Sequence, residues 1–168
     1  MDPAPTLLSD AFTRIDELFQ SVCSELDRDT ARWRPDPEAN PIVWLLWHLT
    51  RVQDDHISEL AGVDQAWTRF RERFGLSLEP HDTGFGHTSD QVAAVDAPVD
   101  LLGEYHAAAH DITMHYIRSL DAAELERVVD HRWQPPVTAG ARLISVNGDC
   151  LQHLGQAAYI RGLAERAA

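Results

Sequence analysis

Asp149 and His153 stand four residues apart in NGDCLQHLGQAAYIRG (147–162). On a helix that spacing stacks two side chains on one face. A carboxylate and an imidazole so placed can chelate one ion, form a buried hydrogen bond, or pair at the surface. A third ligand is available in NPIVWLLWHLTRVQDDHISEL, where His48 interrupts a run that is apolar nearly all round, close to the Leu45 and Val52 face. A buried imidazole without partners loses on the order of 1–3 kcal/mol. His48 is therefore either bonded to a core carbonyl or a ligand facing Asp149 and His153. Two imidazoles and one carboxylate would leave coordination positions open, the pattern of a catalytic rather than a structural zinc site.

A rival pair, His106 and His110 in YHAAAHDITMHY, has the same spacing. Taken alone, His-x-x-x-His is the stronger metal motif, but three alanines fill the gap and no acidic base accompanies it. His110 stays open as a substrate contact or alternative ligand, and the pair as a surface pair. Asp55, seven residues after His48 and roughly on its face, is a candidate to orient an imidazole or accept a proton, or is simply a solvated member of QDDH. Gln156 stands near the Asp149–His153 edge and could bond a ligand or water. Arg161 lies in line with the apolar stripe, where it either pairs with an anionic group of a bound molecule or snorkels past the helix end. Trp44 and Trp47 flank His48 and either wall a pocket or fill the core. The loop PHDTGFGHT is a lid over that pocket or an ordinary surface loop.

Helices must carry these groups. Apolar periodicity predicts four long ones. The first runs over about Ser9 to Asp27, with Phe12, Ile15, Phe19, Val22 and Leu26 on one face. The second starts at Asn40 as N-cap with Pro41 at the first helical position, and ends at Ala61 before Gly62. The third opens near Pro98 and continues to about Leu120. The fourth spans about Thr138 to Arg166, its stripe formed by Leu143, Val146, Cys150, Leu151, Leu154, Ala157 and Ala158. A short amphipathic helix is expected in DQAWTRFRERF, a helix cap at Ser89, and a capping box from Asp121 to Glu124. Strand signals are weak. The expected fold is all-α, a four-helix bundle with short extra helices in the connections, forming one domain over residues 1–168.

Bulk properties narrow the function. A formal net charge of −13 opposes nucleic-acid binding, which needs clustered cations. All fourteen cations are Arg, so Lys-based Schiff-base or phosphate-loop chemistry is excluded. Nine His favour metal chemistry instead. No apolar run approaches the ~20 residues of a bilayer span, and MDPAPTLLSD lacks the marks of a signal peptide, so a cytoplasmic protein is expected. Cys23 and Cys150, in apolar surroundings, read as buried free thiols.

WLLWHL on the second helix and DCLQHLGQAAYIRG on the last resemble the DinB-like metal-dependent helical bundles. The likeness is to the branch related to mycothiol-dependent maleylpyruvate isomerase and the thiol S-transferases. It extends over nearly the whole chain through RVQDDH, DTGFGH and RWQPPVT, and the His-x-Gly-Gln element at His153 is fairly specific. The resemblance implies a divalent metal on a second-helix His and two fourth-helix residues four apart, which here are His48, Asp149 and His153. Many members carry His at the middle position and the isomerase branch Glu; this chain has the shorter Asp. The implied activity is low-molecular-weight thiol transfer or thiol-dependent isomerisation of an electrophile, with zinc or nickel in the site. A non-catalytic metal- or ligand-binding bundle linked to stress is the alternative, and a homodimer is expected of such bundles.

Overall fold

The computed structural model describes residues 3–167. Four long helices dominate: α1 (Ala4–Cys23), α3 (Ile42–Ala61), α6 (Val99–Arg118) and α8 (Ala139–Ala167), joined through α2 (Arg28–Arg32), α4 (Trp67–Phe74), α5 (Ser89–Ala94) and α7 (Ala122–Glu126). α3 packs against both α8 and α6, and α1 packs against the same two. The helices therefore stand in the order α1–α6–α3–α8 around the core, with α1 diagonal to α3 and α6 diagonal to α8. Up-and-down neighbours would not give this order; the connections from α1 to α3 and from α6 to α8 cross the bundle.

Local chemistry explains the ends. The first long helix begins earlier than expected, at Ala4, and ends earlier, at Cys23; Asp27 accepts from Thr30 N–H at 2.9 Å and starts a separate short helix. The second long helix begins one residue later than expected, with extended Pro41 as N-cap in place of Asn40, and stops at left-handed Gly62. Thr88, not Ser89, caps α5, in a reciprocal box with Gln91. Asp121 caps α7 through Glu124 N–H at 2.8 Å. The box is not closed, because the Glu124 carboxylate is taken by Tyr116 and Arg127.

Phe12, Ile15 and Phe19 of α1 are fully buried. On α8 the buried stripe is Leu143, Val146, Cys150, Leu154, Ala157, Ile160 and Ala164; Leu151 and Ala158, expected within it, face outward. Nearly the whole first half of α3 is buried, as its all-round apolar character requires. One element was not foreseen: a two-stranded antiparallel ribbon, β1 (Val128–Asp130) with β2 (Val137–Thr138), which delivers the chain into α8. It is too short for strand periodicity to register.

Candidate metal centre

His48 on α3 and Asp149 and His153 on α8 meet where these two helices pack. Their ligand atoms all lie within 4.8 Å of one another, and among the described residues no other group of three such side chains gathers this way. The two imidazoles stand edge to face with centroids 4.7 Å apart.

The hydrogen bonds on the far side of each ring decide where the lone pairs go. His48 Nδ1 meets the carbonyl of Thr83, which can only accept, so Nδ1 carries the proton and Nε2 is bare. His153 Nδ1 donates to Gln156 Oε1 at 2.9 Å, which frees its Nε2, 3.6 Å from Asp149 Oδ1. Asp149 Oδ2 is buried with no hydrogen-bond partner. Two bare imidazole nitrogens beside an orphaned carboxylate oxygen are a donor set that fits a divalent cation.

Charge states follow the same logic. Burial pushes His48 below its ordinary value, so it is neutral. Burial alone would raise the Asp149 carboxyl, but the imidazoles of His153, His48 and His56 outweigh it and hold the group below the usual carboxylate range. The neighbouring Asp149 carboxylate raises His153.

Beside the triad lies a cavity of about 310 Å³, lined by His48 and Asp149 together with Val52, Asp55, His56, Thr83, Phe85, Ser145 and Val146. Asp55 is thus brought to the cavity wall, where Gln65 Nε2 donates to its Oδ1 at 2.7 Å. Gln65 is in turn held by buried Arg51 at 2.9 Å. Trp44 stacks on His48 with centroids 4.6 Å apart and meets His153 edge-on, so it walls the site.

Three other candidates are elsewhere. Trp47 is fully buried behind the site, against His87 and Trp67, and is core rather than pocket wall. His110 stays beside His106 on α6; His106 touches Thr50, two residues and ~200° round α3 from His48. Arg161 is not among the residues that line this cavity. Its Nη1 donates to the carbonyls of Ser21, Val22 and Ser24 at 3.3, 2.9 and 2.7 Å and closes the C-terminal end of α1. Carbonyls left without intrahelical partners at a helix end attract such a cation.

His56, on the cavity wall, and its partner Arg142 are not among the residues expected from the sequence. Arg142 Nη1 donates to His56 Nδ1 at 3.1 Å, and burial together with this guanidinium pushes His56 down and keeps it neutral. Arg142 precedes Asp149 by seven residues on one helical stripe, a signal that spacing does contain. Neither cysteine lines the cavity, and burial lifts the Cys23 thiol to about 12 and the fully buried Cys150 above its ordinary value as well.

The family model described as mycothiol-S-transferase matches residues 7–165 of this chain. A conserved protein of Enterococcus faecalis, known from a crystal structure, is 33% identical with a TM-score of 0.89, and the match covers 98% of each chain. No curated protein matches.

Proposed function

This chain belongs to the mycothiol-S-transferase family, and on that premise we propose that it is a metal-dependent transferase joining a low-molecular-weight thiol of the mycothiol type to a small electrophile. His48, Asp149 and His153 are its proposed ligands, and zinc the proposed ion, with nickel the rival for the same donors. The observation that carries the reading is the pair of Nδ1 hydrogen bonds, to Thr83 and Gln156, that leave both Nε2 atoms bare beside Asp149.

A divalent ion held by these three residues would lower the pKa of a thiol. The protein's own groups do the rest. Gln156 holds the His153 ring in its productive tautomer and so positions a ligand. Asp55, on the cavity wall, accepts the thiol proton. Val52, Val146 and Phe85 give the electrophile an apolar surface. The sulfur forms a bond to the electrophilic carbon as the bond to the leaving group breaks, and the leaving group departs with that electron pair. At about 310 Å³ the cavity is near the lower end for small-molecule sites, ~300–1,000 Å³, and admits a small electrophile with the thiol's reactive end rather than both molecules whole.

Elemental analysis of the purified chain against His153→Ala tests the site. One equivalent of zinc in the first and none in the second is expected; equal content removes His153 from the ligand set. Thiol consumption with an electrophile must then be abolished by chelator. Metal binding with no chelator-sensitive consumption would instead make the protein a binder.

A further inference from the structure

The loop DTGFGH (82–87) stands over His48, and its contacts form a closed circuit. Trp44 Nε1, which can only donate, gives its proton to His87 Nδ1 at 3.2 Å. His87 therefore carries its own proton on Nε2, which faces both carboxylate oxygens of Asp82 at 3.0 Å. Asp82 Oδ1 also accepts from Gly84 N–H at 2.7 Å. That turn sets the carbonyl of Thr83 against His48 Nδ1, and His48 lies flat on Trp44, where the circuit began.

Two features show that the loop is built for this position rather than resting there. Gly84 has φ +91°, and a Cβ on it would lie 2.9 Å from the Trp47 ring and 3.0 Å from both His48 Nδ1 and the Trp44 ring, so only glycine lets the backbone come this close. The His87 side chain is only 4% exposed, although it belongs to a loop. Burying an imidazole is costly unless both its nitrogens are satisfied, and here Trp44 and the Asp82 carboxylate satisfy them. A surface loop needs neither device, and a lid that opened would strip His87 Nδ1 of the Trp44 N–H and His48 Nδ1 of the Thr83 carbonyl.

We propose that Asp82 and His87 are positioning residues for the metal ligand His48: through Thr83 and Trp44 they fix its ring and its Nδ1–H tautomer before any ion arrives. The bare Nε2 is then already presented to Asp149 and His153. Pre-organisation of this kind in the shell behind the ligands is worth about 10–100-fold in metal affinity.

The test uses the full chain and two readouts. In metal-free protein above neutral pH, long-range ¹⁵N–¹H correlations report the His48 tautomer. The wild type should show a single Nδ1-protonated ring, and Asp82→Ala a mixture of tautomers. Zinc affinity, measured by competition with a chelating dye, should fall about 10–100-fold in Asp82→Ala. Asp82→Asn, whose amide oxygen still accepts from Gly84 and His87, should restore most of the affinity. His87→Phe keeps the stacking on Trp47 while removing both hydrogen bonds, and should reproduce the Asp82→Ala losses if that variant folds poorly. A single unchanged tautomer with wild-type zinc affinity in either variant overturns the proposal. The zinc arm rests on the proposed metal site, but the tautomer arm does not. A wild type that binds no zinc therefore defeats the metal reading, while the tautomer alone decides the role of Asp82 and His87.

Discussion

Two places in this bundle are written in nearly the same letters. At α3/α8, two residues four apart on one helix, Asp149 and His153, meet His48 from a neighbour. At α1/α6, two residues four apart on one helix, His106 and His110, lie near Asp16 from a neighbour, with His106 Nε2 3.6 Å from Asp16 Oδ1. The first gathers its ligand atoms beside an open cavity. The second does not. His106 is fully buried, flat against Phe19 with centroids 3.9 Å apart, and shares its Nδ1 with Thr50 Oγ1 at 3.3 Å. Its Nε2 and His110 Nδ1 are buried without hydrogen bonds. Burial pushes His106 down to about 3, so the contact with Asp16 is not an ion pair. Ligand letters at helical spacing are thus compatible with a candidate metal centre or with packed core. What separates them is whether outer hydrogen bonds turn the lone pairs inward and whether space is left beside them.

The comparison breaks most directly on metal content. His48→Ala or His153→Ala should lose bound zinc altogether, whereas His110→Ala should keep a full equivalent; elemental analysis of the three reads this out, and zinc lost from His110→Ala would exchange the two roles. Next in size is stability. His106→Ala removes a fully packed ring and should cost roughly 2–4 kcal/mol in metal-free denaturant melts, with zinc content unchanged.

A smaller effect appears in pH. The folded-state value of His106, about 3, lies below its unfolded value of ~6.5. Between these two values the unfolded chain binds a proton that the folded chain refuses. The stability associated with the neutral ring is therefore complete above ~6.5 and drains as the pH falls toward 3, at up to ~1.4 kcal/mol per unit. His106→Leu should flatten this dependence relative to wild type in metal-free melts across that window; an unchanged slope would show that the ring is not excluded from protonation. The smallest expected change is at Arg161. Removing its three carbonyl bonds with Arg161→Met should lower stability by about 1 kcal/mol, visible as a small drop in Tm. Zinc affinity and thiol consumption should not move, because Arg161 lies two turns of α8 beyond His153.

Much of this could be read from the chain as letters. The four long helices, the burial of the first half of α3, and the left-handed stop at Gly62 follow from apolar periodicity and backbone preference, which act within a few residues. His48, Asp149 and His153 were recognisable as candidates because i, i+4 stacking is also local, and because their surrounding motifs resemble a known family. The ribbon before α8 was not legible, since strands of three and two residues have too little length to show alternation. Nor was Arg161: an arginine on an apolar stripe looks the same whether it awaits an anion or closes a helix 137 to 140 residues away in sequence.

Helical periodicity by itself determined which residues share a face, and hence that imidazoles and carboxylates would be carried at chelating spacing on two helices of the bundle. Tertiary structure alone decided which set converges. The choice depends on bonds across 35 residues, from His48 to Thr83, and 43, from Trp44 to His87, and on an α3/α8 contact across a hundred. Periodicity specifies directions around one helix axis; the direction of a lone pair is set by whatever another part of the chain places behind the ring.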